Sequence, residues 1–151
     1  AVRLVAPQKD LGLVTIEQHL HDDALPVRGP AHRLTQVVLN LLLNAADAVA
    51  GEGTIIVTVA PGENGTVSLV VEDTGPGIAP GVLATLFEPF VTTKAAGRGT
   101  GLGLAVCHTI VERLGGRVVA ERTETVEGVA VAEVAYGWPD LAPPLYSPRR
   151  P

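Results

Sequence analysis

The chain has 151 residues, 46% of them hydrophobic, enough for one domain with a core of its own. A net charge of −5 supplies no long-range attraction for nucleic acid or for an anionic membrane surface. A single cysteine, Cys107, excludes an internal disulfide, and no apolar stretch is long enough to span a bilayer. Only 3% of the residues are aromatic, so the core has to come from Val, Leu, Ile and Ala. No basic-then-apolar leader opens the sequence at Ala1, and a cytoplasmic location is expected. The chain reads as a piece of a longer protein.

In chain order, "LVTIEQHL" (13–20) and "LPVRG" (25–29) are strand candidates separated by a polar "HDD" turn. Pro30 stands where the first turn of a helix tolerates proline. From His32 to Val49 the apolar residues Leu34, Val37, Val38, Leu41, Ala45 and Ala48 recur at helical spacing, and "GEG" (51–53) ends the run. "TIIVTVA" (54–60) and "TVSLVVED" (66–73) form a hairpin about "PGENG". Residues 74–101 are rich in Gly, Pro and Thr and hold one short helical candidate, "APGVLATLF". A second helix, "LGLAVCHTIVERLGG" (102–116), ends at Gly115 and Gly116. Strands "RVVAER" (117–122) and "GVAVAEVAY" (128–136) complete a domain over 1–138, and 139–151 is a proline-rich tail. This order predicts an α+β two-layer sandwich: a mixed, mostly antiparallel sheet with helices on one face.

Four stretches carry chemistry. On a helix advancing about 100° per residue, Gln36, Asn40, Asn44 and Asp47 fall within one quadrant of an otherwise apolar surface. A solvated edge explains Gln36 and Asp47. Two asparagines one turn apart among leucines are harder to dismiss, because asparagine is a poor helix former. Its carbonyl oxygen can ligate Mg²⁺ while its NH₂ donates to phosphate. "DTGPGI" (73–78) places Asp73 at a strand end, followed by Gly75 and Gly77, which permit close backbone approach. Alone it reads better as a plain Asp-Gly turn.

"GRGTGLGL" (97–104) opens into a helix, and backbone N–H groups at a glycine-rich helix start suit phosphate. It has no GK[ST] and misses the last glycine of the dinucleotide fingerprint, so neither of those motifs applies. "LFEPFVTTK" (86–94) holds the chain's two phenylalanines, Phe87 and Phe90, spaced to pin a mobile segment to the core and leave Lys94 free to reach a phosphate.

In this order the four stretches resemble the N box, first glycine box, F box and second glycine box of the catalytic, ATP-binding domain of two-component sensor histidine kinases. "NAADA" and "PFVTTK" look most like the nitrogen-regulation type. That family sits within the wider gyrase, chaperone and mismatch-repair group of ATPases and implies its Bergerat-type fold. The likeness covers residues 13–136. It implies that Asn40 and Asn44 hold Mg²⁺ and the phosphates, that Asp73 reads adenine, and that Ile78 lines the base pocket. It assigns the phosphate tail to Lys94 and the backbone of Gly99, Thr100, Gly101, Leu102 and Gly103, and adds Asp47, Gly75, Gly77 and Thr93 to the nucleotide site. Residues from about 79 to 100 would form a lid over ATP. Asn40 and Lys94 would be the catalytic pair.

Departures from the pattern are Pro30, where the family often has Asp, and a last strand with Ala and Val where a hydroxyl residue and an aromatic are common. The resemblance implies as partners a dimerisation hairpin bearing the phosphoacceptor histidine and the receiver domain of a response regulator. It implies no nucleic acid, no direct membrane contact, and a monomeric isolated domain. The nucleotide fold starts by residue 13, which leaves no room for that hairpin, and His21 beside Asp22 reads as a turn residue. Two other readings share the motifs: an ATPase of the wider group, and a degenerate nucleotide-binding module for protein interaction.

Overall fold

The structure, a computed structural model, describes residues 13–62, 65–94, 99–126 and 129–137, with side chains as far as Gly116 except that of Pro80. The proline-rich segment 139–151 lies outside the described residues. Alternation decides which face of each strand is buried. In β2 (Glu52–Pro61) Ile55 and Val57 point to the core, and in β3 (Val67–Asp73) so do Val67, Leu69 and Val71. The antiparallel register pairs Val57 with Val71 and Ile55 with Asp73, so all of these share one face. Asp73 is therefore the residue at which the buried face of β3 turns polar.

Five strands make one sheet in the order β1-β2-β3-β5-β4, with β1 at Leu13–Leu20, β4 at Arg117–Val126 and β5 at Val129–Gly137. β1 runs parallel to β2 and the other neighbours are antiparallel. Helix α1 (Ala31–Ala48) is the crossover that a parallel pair requires. With α3 (Gly103–Arg113) it covers the apolar face of the sheet. Val37, Leu41, Leu42, Ala45 and Ala46 of α1 join Cys107, Ile110 and Val111 of α3 and the strand residues in one core. The mixed sheet and helix layer expected from the sequence are observed.

Several local expectations change. Residues 25–29 form no strand. Pro26 and Pro30 remove two backbone donors there, and Val27 gives the core its side chain without pairing in the sheet. α1 ends slightly before "GEG": Val49 caps the helix, Ala50 and Gly51 turn the chain with left-handed φ values of 51° and 98°, and Glu52 and Gly53 already belong to β2. The helix expected over 79–87 shortens to α2 (Pro80–Leu83), after which Thr85 turns its hydroxyl back onto the Val82 carbonyl at 3.3 Å. α3 ends as expected. Gly115, at φ 78°, donates to the Glu112 carbonyl at 3.0 Å and Gly116 to that of Val111 at 2.9 Å.

Neighbouring leucines of α1 give a direct test of this packing. Leu42 is fully buried, whereas Leu43 is 37% exposed. Leu42→Ala should cost about 2–5 kcal/mol in chemical denaturation, and Leu43→Ala about 1 kcal/mol or less.

Candidate nucleotide-binding site

A cavity of about 740 Å³ opens between α1, the end of β3, the segment after Phe90 and the start of α3. Its wall includes Asn40, Asn44 and Asp47 from α1, then Asp73, Gly77 and Ile78, then Thr93, Lys94, Gly99, Thr100, Gly101 and Gly103. Stretches far apart in sequence thus meet around one space. Gly75 and Leu102 do not line it. Gly75 is buried behind the wall, where a Cβ would stand 2.7 Å from Asp73 Oδ1 and 2.9 Å from Ala48, so only glycine lets this loop close on α1. Leu102 is 37% exposed and donates its amide to Thr100 Oγ1 at 3.4 Å.

The Gly75 N–H donates to Asp73 Oδ1 at 2.9 Å. Burial raises the Asp73 carboxyl above its ordinary pKa, opposed in part by that hydrogen bond. Asn40 donates through Nδ2 to the Gly103 carbonyl at 3.4 Å. A carbonyl only accepts, so the NH₂ of Asn40 is directed to α3 and its Oδ1 away from that contact. No side chain of the described residues caps the first amides of α3. Those groups suit an anion in the cavity.

Lys94 is not free. Its ammonium donates to Asp47 Oδ2 at 2.6 Å and to Asn44 Oδ1 at 3.2 Å. The two phenylalanines also differ. Phe87 packs on the core and on His108, ring centroids 5.0 Å apart, while Phe90 is 76% exposed at a left-handed φ of 70°. Phe90 is held by its backbone: its N–H donates to the Gly101 carbonyl at 2.9 Å. A Cβ on Gly101 would collide with the Phe90 carbonyl carbon. Sequence reasoning missed the apolar lining, Leu43, Val71, Val82, Leu86, Val91 and Leu104. The alternation of β3 was the signal for Val71.

His21 lies in an exposed turn where its Nδ1 accepts from the Asp23 N–H at 3.2 Å, and it does not line the cavity. Residues 29–134 match the profile of the histidine kinase-, DNA gyrase B-, and HSP90-like ATPases.

The chain belongs to this family.

The two-component sensor PprA of Pseudomonas aeruginosa is 49% identical over 100 residues, which is 62% of this chain and 11% of PprA. Among solved structures, full-length ShkA in complex with AMPPNP aligns with a TM-score of 0.73 at 30% identity, over 91% of this chain and 28% of that one. The catalytic domain of histidine kinase ThkA aligns at 0.69 and 31% identity, over 87% of this chain and 81% of that one. ThkA in complex with the response regulator protein TrrA aligns at 0.61 and 28% identity, over 82% and 34%. The chain therefore spans a small part of the sensor proteins it matches. Its fold is that of a histidine kinase catalytic domain, as the four motifs implied.

The raised pKa of Asp73 has a measurable sign. A carboxyl that holds its proton more tightly folded than unfolded destabilises the fold when it ionises. Stability should therefore rise as pH falls from neutral through the raised value. Asn at position 73 still accepts from Gly75 but carries no charge. Thermal melts of Asp73→Asn should lose this part of the pH dependence and show no loss of stability at pH 7.

Proposed function

We propose that this domain binds Mg²⁺-ATP and, within a longer sensor histidine kinase, delivers the γ-phosphate to a histidine on a separate dimerisation hairpin. A receiver domain of a response regulator would take the phosphate next. The observation that carries this reading is the meeting of Asn40 and Asn44 with the glycine-rich start of α3 across one cavity, with Asp73 at the end of β3. The amide oxygens of Asn40 and Asn44 are hard oxygen donors one turn apart on α1, suited to a Mg²⁺ that takes its other ligands from phosphate and water. When bound, that ion draws charge from the phosphate oxygens.

The chain's own groups divide the remaining work. Asp73 accepts from the exocyclic amine of adenine, and Gly77 and Ile78 flank the base. The first amides of α3 and the Lys94 ammonium hold the phosphate tail, so catalysis is positioning and charge neutralisation. The described lining offers no glutamate or histidine to activate water, and Asp73 receives the Gly75 N–H. Asn40 has no useful basicity near pH 7. Among the described residues no helix is long and apolar enough to cross a membrane.

Labelled ATP tests the reading. The chain alone should neither label itself nor release phosphate quickly. Adding the hairpin segment of the same full-length protein should produce acid-labile, base-stable label on that segment, and Asn40→Ala should abolish it. Rapid phosphate release by the chain alone would favour a hydrolytic ATPase, and absence of ATP binding would favour an interaction module.

A further inference from the structure

Two oxygens of α1 already hold a cation. The Lys94 ammonium stands 2.6 Å from Asp47 Oδ2 and 3.2 Å from Asn44 Oδ1. Its stem lies against Gly99, where an added Cβ would come within 3.0 Å of Lys94 Cδ and 3.2 Å of its Cβ. Its backbone N–H is tied to Thr92 Oγ1 at 3.2 Å. Head, stem and backbone are each engaged, and the lysine fastens the segment after Phe90 to α1 across the cavity. Of the described residues lining that cavity, it is the one cationic side chain.

An ammonium and a divalent ion do not share these oxygens comfortably. Asn44 Oδ1 is a hard, neutral donor of the kind a divalent ion takes. Two positive charges within bonding range of one oxygen repel, and half-buried surroundings screen that repulsion poorly. We infer that the Lys94 ammonium is a resident cation on the Asn44–Asp47 oxygen pair, which a divalent ion reaching Asn44 displaces, so that metal entry releases residues 92–94 from α1.

The inference rests on reading the cavity as a Mg²⁺-ATP site. The displaced ammonium then has the phosphate tail as its new partner, where it and the metal both offset phosphate charge. Asp47 is a positioning residue: it sets how firmly the lid segment lies on α1 before loading. The side chains of Lys94 and Asp47 are 32% and 36% exposed. Such a pair is modest in strength, as an exchangeable contact has to be.

Mn²⁺ without nucleotide is the probe, because its paramagnetism broadens the resonances of nearby groups. The 151-residue chain is titrated with Mn²⁺ while the Asn44 side-chain amide is followed by NMR. Lys94→Ala should bind Mn²⁺ about three- to tenfold more tightly than the unmutated chain. Lys94→Arg, which keeps the cation, should not. In parallel, Mg²⁺ should speed amide exchange at 92–94 in the unmutated chain, and Asp47→Asn should speed it without metal. Equal Mn²⁺ affinity with Lys and Ala at position 94, no broadening at Asn44 in any variant, or exchange at 92–94 indifferent to Mg²⁺ overturns the inference. Calorimetric ATP binding by the same samples separates the two claims. No ATP binding removes the nucleotide reading itself, whereas normal ATP binding with Mn²⁺ affinity independent of Lys94 removes only the exchange.

Discussion

α1 has to serve two surroundings at once, and the rest of the domain is arranged around that requirement. One side of the helix fills the core through Val37, Leu41, Leu42, Ala45 and Ala46. The adjoining side presents Asn40, Asn44 and Asp47 to the cavity. The core residues fix the rotation of the helix about its axis, because turning it would expose leucines and bury amides. Burial of a polar group without a partner costs about 1–3 kcal/mol, so the hydrophobic packing itself aims the asparagines.

The second support comes from α3. Cys107 is fully buried and its thiol reaches the Val37 carbonyl of α1 at 3.7 Å. Burial pushes that thiol up to about 11, which leaves it protonated and inert: a packing residue between helices. One turn earlier, the Gly103 carbonyl receives the Asn40 amide. The two contacts keep the start of α3 beside the asparagines, where its first amides face the same space. The backbone amides proposed to hold phosphate and the side chains proposed to hold metal are thus set by one helix–helix contact.

Much of this was legible in the residues because short-range periodicity carries it. The period of β3 puts Asp73 on the buried face with Val67, Leu69 and Val71, and helical spacing gathers Asn40, Asn44 and Asp47. What could not be read depends on partners distant in the chain. Nothing local to "LVTIEQHL" says that it pairs in parallel with β2, and the strand candidate over 25–29 fails once Pro26 and Pro30 are weighed. Lys94 finds Asp47 across 47 positions, and the exposure of Phe90 follows from a backbone contact with Gly101. β4 runs on to Val126, past the expected end at Arg122, because Thr123 to Val126 pair with β5.

The central claim is that one face of α1, the Asp73 loop and the start of α3 form a single nucleotide site. NMR titration of the chain with ADP and Mg²⁺ tests it most directly. The account predicts concerted shifts of the Asn40 and Asn44 side-chain amides and of the backbone amides of Gly75, Gly77 and Gly103, with β1 unmoved. Shifts confined to β1, or an Asn40 amide indifferent to saturating ADP, would contradict it.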